Sequence, residues 1–170
     1  LAPIYVITPN LKEYDVHFYS VIEELLKNGL KILQFRSPLI SAKQHQVIVE
    51  KLVTLCEKYA CKLIYNGKIN DAIGYGAHGV HLSSDRLMKE KIRPVSEMFL
   101  VGASCHNEIE LLHAERIGLD YCVLSLVHQS TSHINKTGMG WKKFFLLSQL
   151  VSIPVYALGG VMPSEFKIAR

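Results

Sequence analysis

No two cysteines in this chain are spaced as C-x-x-C, and none of the four present (Cys56, Cys61, Cys105 and Cys122) falls into a His/Cys spacing that resembles a zinc site. Cys56 and Cys122 sit inside apolar runs and read as buried thiols, which suits a reducing, cytoplasmic setting. No stretch approaches the roughly 18 consecutive apolar residues of a membrane span, and no signal peptide opens the chain. Basic residues form only short clusters such as Lys89, Lys91 and Arg93, without interleaved aromatics, so neither a nucleic-acid surface nor a membrane is an expected partner. The net charge of +4 is scattered, a distribution that still suits a small phosphorylated ligand. No G-x-G-x-x-G follows the first apolar run, where Thr8, Pro9 and Asn10 stand instead, and this argues against a dinucleotide fold.

What is present is a repeating strand-then-helix grammar. Seven apolar runs read as strands: Ile4–Thr8, Ile32–Arg36, Lys62–Asn66, Gly79–Leu82, Leu100–Cys105, Tyr121–Leu126 and Val155–Leu158. Helical segments follow them. Leu11 to Lys27 places Phe18, Val21, Ile22, Leu25 and Leu26 on one face, and Gly29 provides the stop. Ser41 and Gln44 form a capping box that opens a helix with Val47, Ile48, Leu52 and Leu55 inward. Asn107 begins another, with Ile109, Leu112 and Ile117 inward and Gly118 at its end; Trp141 to Leu150 is a further apolar helix, and Pro163 opens a last one. Alternation of this kind predicts βαβ units and a parallel sheet. Seven strands over 170 residues point to an α/β (β/α)8 TIM barrel cut short or disordered after its seventh strand, as such barrels need about 200 residues or more. The chain starts at Leu1 rather than Met, so residues 1–170 read as one barrel domain excised from something longer.

In a parallel α/β sheet, ligands gather at the carboxyl ends of the strands. The stretch Leu63 to Ser84 shows the pattern plainly, since its two strands stop at polar residues: Asn66, then His81, Ser83 and Ser84. Gln34 and Arg36 lie two apart and share a face. Arg suits bidentate contact with phosphate, and Gln adds a neutral donor; a rim salt bridge is the structural alternative for Arg36. Asn66 reads as a ligand hydrogen-bonder or as the start of an Asn-Gly turn. His81, within an apolar strand, reads as a ligand contact or a buried core histidine. Ser104 and His106, as candidate catalytic residues, allow a Ser–His nucleophilic pair in principle, but the sequence places no orienting acid beside it, and a cap or support at the start of the Asn107 helix is the alternative for His106. Gly159 and Gly160, directly after the last strand, suit close approach of backbone N–H groups to a phosphate, with a helix behind them to favour the anion; a tight strand-to-helix turn is the other reading.

Six pieces, IYVIT (Ile4–Thr8), LQFR (Leu33–Arg36), LIYN (Leu63–Asn66), GVHL (Gly79–Leu82), VGASCHN (Val101–Asn107) and ALGG (Ala157–Gly160), resemble in order and spacing the thiamine phosphate synthase/TenI family. Finer detail in GVHLSS, GASCH, Ser130–His133, Gly140–Trp141 and PVYALGG resembles the branch fused behind a MutT-type Nudix hydrolase. The resemblance implies a (β/α)8 barrel and a small phosphorylated ligand. It also implies a covalently linked N-terminal Nudix domain, and it leaves room for a homodimer. Synthases of the family join a pyrimidine diphosphate to a thiazole phosphate with Mg²⁺, and the TenI branch includes thiazole tautomerases. On this resemblance Gln34 and Arg36 belong to a diphosphate-gripping Q-x-R-x-K whose Lys is here Pro38. The two Mg²⁺ carboxylates fall on Gly67 and on Arg86, with Asp85 adjacent, so the family's metal ligands are unmatched and no metal-binding residue is assigned. Ser104 takes the place of a serine at the reacting centre. Ser130, Ser132 and His133 replace the phosphate-clamping T-x-T-K, and the tautomerase histidine falls on Leu126. These exchanges make synthase activity doubtful and leave a non-catalytic regulatory or dimerising barrel as the alternative.

Overall fold

Apolar runs of four to six residues are too short to hold a helix and become strands, while the longer periodic runs wind into helices. The structure, a computed structural model, describes residues 1–11, 16–129 and 137–169. In chain order it contains β1 (Val6–Ile7), α1 (Val16–Lys27), β2 (Ile32–Phe35), α2 (Ala42–Lys58), β3 (Lys62–Tyr65), α3 (Ile69–Gly74) and β4 (Gly79–Leu82). There follow α4 (Ser84–Leu87), β5 (Leu100–Cys105), α5 (Glu108–Arg116), β6 (Tyr121–Ser125), α6 (Gly140–Ser148) and β7 (Val155–Leu158). The strands form one sheet whose order is the order of the chain. Without a reversal of strand order the doubly wound alternative falls away, and the α/β order is that of a (β/α)8 barrel. Among the described residues no strand follows β7, and no helix is long and apolar enough to cross a membrane.

The chain divides into two compact units. The first comprises Leu1–His81 with Glu97–Leu100. Its strands pair in parallel, with Gln34 opposite both Ile7 and Ile64, and Phe35 opposite Tyr65. Leu33, Phe35, Leu63 and Tyr65 share the opposite face and are buried. The capping box at Ser41 and Gln44 is formed, the Ser41 N–H donating to Gln44 Oε1 at 2.9 Å. Two helical faces differ from expectation. In α1 the buried residues are Phe18, Tyr19, Ile22 and Leu26, while Val21 and Leu25 are exposed; in α2 they are Ile48, Val49, Leu52 and Cys56, while Val47 is exposed. Apolar residues flank each buried stripe on both sides, so periodicity alone leaves its centre free to rotate by one position.

The second unit comprises Leu82–Ser96 with Val101–Arg170. Its strands β5, β6 and β7 also pair in parallel. Asn107 caps α5, its Oδ1 accepting the Glu110 N–H at 3.0 Å. Ile109 and Leu112, expected inward, are exposed; Leu111, His113 and Ala114 take their place. His113 tolerates burial because its Nε2 lies 3.1 Å from Leu87 O and 2.9 Å from Glu90 O. Carbonyls only accept, so this nitrogen carries the proton. The helix expected from Pro163 is a 3-10 turn, Pro163–Glu165. All four cysteines are free and buried.

Candidate active site

In the first unit the parallel register determines what meets on the face carrying Gln34. Side chains two apart share a face, and partners across parallel strands do too. Tyr5, Gln34 and Asn66 therefore converge. The Gln34 Nε2 donates to Tyr5 Oη at 2.7 Å, and Asn66 Nδ2 donates to Gln34 Oε1 at 3.0 Å. Gln34 is only 1% exposed, and this pairing satisfies both ends of its amide. His81 is buried in β4, its ring centroid 6.5 Å from that of Tyr5. Arg36 lies one residue beyond β2 and is exposed. Thr8 holds its backbone, with Arg36 N–H donating to Thr8 Oγ1 at 3.0 Å, and among the described residues its guanidinium has no ion pair.

The other face supports this one. Tyr65 Oη lies 2.9 Å from His45 Nδ1, and His45 Nε2 lies 2.7 Å from Ser37 O. Nε2 must donate to that carbonyl, so the neutral ring accepts from Tyr65 through Nδ1. Ser37 in turn is buried, its Oγ accepting Leu11 N–H at 2.9 Å and donating to Leu11 O at 3.1 Å. The loop that carries Arg36 is thus pinned at both ends. Gly67 lies against the same Tyr65: a Cβ there would come within 2.1 Å of the ring.

In the second unit, Ser104 is half-buried on β5 opposite Val123, and His106 follows the strand end. The His106 ring is engaged by β6, its Nδ1 lying 3.0 Å from Ser125 O and 3.2 Å from Ser125 Oγ. Nδ1 donates to the carbonyl, which leaves Nε2 as the basic nitrogen of the neutral ring. The His106 N–H donates to Glu110 Oε2 at 2.6 Å, so His106 also belongs to the start of α5. Gly159 and Gly160 have φ of 98° and 63°, conformations that side chains rarely adopt. A Cβ on Gly160 would lie 2.5 Å from Gln129 O and 2.8 Å from His128 Cβ. Val127 N–H and His128 N–H donate to Leu158 O and Gly159 O, each at 2.9 Å. The amides of Gly160 and Val161 have no partner among the described residues.

One carboxylate organises the segment behind that turn. Glu165 Oε2 accepts Met162 N–H at 2.9 Å, and Oε1 accepts the Trp141 indole N–H at 2.7 Å and His128 Nε2 at 2.8 Å. These donors, the Met162 amide first, then the indole and the imidazole, hold the Glu165 carboxyl down to about 2 from its ordinary 4.5.

Of the residues singled out in sequence, Gln34 and Asn66 are directly bonded, and His81 on β4 has its ring centroid 6.5 Å from that of Tyr5, which precedes β1. Ser104 and His106 occupy the end of β5, and Gly159 and Gly160 the end of β7. Ser130, Ser132 and His133 lie outside the described residues. The helix expected behind Gly160 is a single 3-10 turn, so the backbone amides, rather than a helix terminus, are what an anion would meet there. Tyr5, Ser125, His128 and Glu165 are not among the residues singled out in sequence, and Trp141 is there only as part of the Gly140–Trp141 motif and as the start of a helix. Tyr5 was within reach of the sequence by the alternation Tyr5–Ile7 across from Gln34; Glu165 was not, because its partners Trp141 and His128 lie 24 and 37 residues away.

Residues 4–169 match the family model described as thiamine monophosphate synthase. The chain is 30% identical to the putative thiamine-phosphate synthase 2 of Aquifex aeolicus, across 99% of this chain and 90% of that protein. It is also 30% identical to the thiamine-phosphate synthase of Fusobacterium nucleatum, across 93% of this chain and 77% of that one. Among solved structures, the thiamine phosphate pyrophosphorylase from Pyrococcus furiosus superposes with a TM-score of 0.78 at 24% identity, covering 95% of this chain and 76% of the other.

Proposed function

Because this chain belongs to the thiamine monophosphate synthase/TenI family, we propose that it binds a thiamine-related phosphate and takes the phosphate at Gly160 and Val161. The observation that carries this reading is the pair of left-handed glycines, with the Gly160 and Val161 amides unpartnered among the described residues and left for an anion. Backbone N–H groups at a turn of this kind present fixed partial positive charge without a side chain to reorganise. The first unit by itself carries a separate candidate anion contact, Arg36, which is exposed and without an ion pair among the described residues. Within that unit Tyr5, Gln34 and Asn66 form a polar cluster: with one Asn66 N–H given to Gln34, its Oδ1 and second N–H are left to pair with the edge of a heterocycle.

Synthases of this family use Mg²⁺, and the residues present do not fit that ion in the family's way. The first carboxylate position is Gly67, where the Tyr65 ring occupies the space that any side chain would need. The second is Arg86, a cation. Among the described residues no three His, Cys, Asp or Glu side chains converge on one point. Mg²⁺ requires hard oxygen ligands, commonly one or two carboxylates with substrate phosphates. This disagreement supports binding of a monophosphate over synthase turnover.

The test combines the purified chain with thiazole phosphate, the pyrimidine diphosphate and Mg²⁺, assayed for thiamine phosphate, alongside calorimetric titration of each precursor. Binding of thiazole phosphate or thiamine phosphate without turnover is the expected outcome. Turnover that is abolished by chelation and by Arg36→Ala would restore the synthase reading, and failure of every precursor to bind would favour a barrel that acts as a scaffold.

A further inference from the structure

The side chain of Glu165 faces a task that turn geometry alone does not explain. Three donors from three segments converge on it: the Met162 amide on one oxygen, the Trp141 indole and the His128 imidazole on the other. Those segments enclose the Gly159–Gly160 turn. His128 gives its backbone N–H to Gly159 O, and its Cβ occupies the space beside Gly160 that a side chain would need. Its ring packs edge-on against Trp141 at 5.9 Å between centroids. Met162 is the next residue after the two amides that have no partner among the described residues. A carboxylate that fixes the Met162 amide and the His128 ring together therefore fixes the backbone on both sides of Gly160 and Val161.

We propose that Glu165 is the positioning residue of the anion-binding turn, holding the Gly160 and Val161 amides in the arrangement that receives a phosphate monoester. The inference rests on the phosphate reading of Gly160 given above. Glu165 does not touch the anion; like charges would repel. It acts through Met162 and His128, and the carboxylate is required because only a group with two acceptor oxygens satisfies all three donors. In Glu165→Gln one oxygen becomes an NH2 that must face a donor, either Met162 N–H or the indole and imidazole. The orphaned donor then displaces its segment.

The experiment titrates inorganic phosphate into the full chain by nuclear magnetic resonance, following the amide signals of Gly160, Val161 and Met162 in wild type, Glu165→Gln, Trp141→Phe and Gly160→Ala. In wild type the Gly160 and Val161 amides shift on addition of phosphate, and Gly160→Ala abolishes this. Glu165→Gln is expected to weaken phosphate affinity by about tenfold or more, the scale of losing a hydrogen bond to a charged group. Its Met162 amide signal moves in the free protein. Trp141→Phe, which keeps the carboxylate and removes one donor, weakens affinity by roughly threefold. A merely structural role would lower the melting temperature of Glu165→Gln and leave phosphate affinity unchanged; that result overturns the inference while leaving Gly160 as the anion site. Wild type without any phosphate response sinks both. Should Glu165→Gln fail to fold, Trp141→Phe decides, a loss supporting the inference and unchanged affinity overturning it.

Discussion

Gly160 is a residue whose identity is forced twice over, by its φ of 63° and by the backbone of Gln129 2.5 Å from where a Cβ would lie. Gly160→Ala is therefore expected to lower stability by about 1–3 kcal/mol, the strain of a side chain in the left-handed region, which chemical denaturation measures. Glu165 supplies a pH dependence whose sign follows from its depressed carboxyl. Its folded value of about 2 lies below the ordinary 4.5, so its contribution is complete above pH 4.5 and is lost as pH falls toward 2. Melting curves of wild type and Glu165→Gln should differ most near neutrality and converge as pH approaches 2. Tyr5→Phe removes the acceptor of a buried Gln34 N–H and is expected to cost about 1–3 kcal/mol in stability.

At the scale of elements, α2 separates what sequence periodicity reads well from what it does not. The capping box at Ser41 and Gln44 was legible because its signal is local, two residues three apart joined by their own backbone. The buried face was legible only to within one position. Val47 and Val49 are both apolar, and packing against the sheet, which sequence alone does not display, buries Val49 and exposes Val47. Leu52→Ala is expected to cost about 2–5 kcal/mol and Val47→Ala within about 0.5 kcal/mol, a contrast that denaturant midpoints test. In α5 the same ambiguity placed Ile109 and Leu112 inward, whereas His113 is buried there with its N–H bonded to backbone carbonyls. A histidine read by hydropathy is assigned to solvent; carbonyl acceptors from the segment Leu87–Glu90 at Nε2, with Arg116 Nη2 2.6 Å from Nδ1, make its burial affordable.

For the molecule as a whole, the parallel sheet in chain order follows from the alternation of strand and helix, since each βα unit closes locally before the next begins. Gly67→Asp tests the metal argument at this scale: the substitution restores a family carboxylate in name, yet its Cβ meets the Tyr65 ring that His45 and Phe35 hold in place. It is expected to destabilise by about 1–3 kcal/mol and to confer no Mg²⁺ dependence on ligand binding, measured by calorimetry with and without the ion. The chain's own residues determined the strands, the caps, the family motifs and the polar residues at strand ends, because all of these depend on neighbours a few positions away. Tertiary structure alone decided that Tyr5 closes the Gln34–Asn66 pair, that Ser125 engages His106, and that Glu165 gathers His128, Trp141 and Met162 around the glycine turn. Those partners come from separate strands and loops, and hydrogen bonds between them exist only once parallel register has brought distant segments within 3 Å.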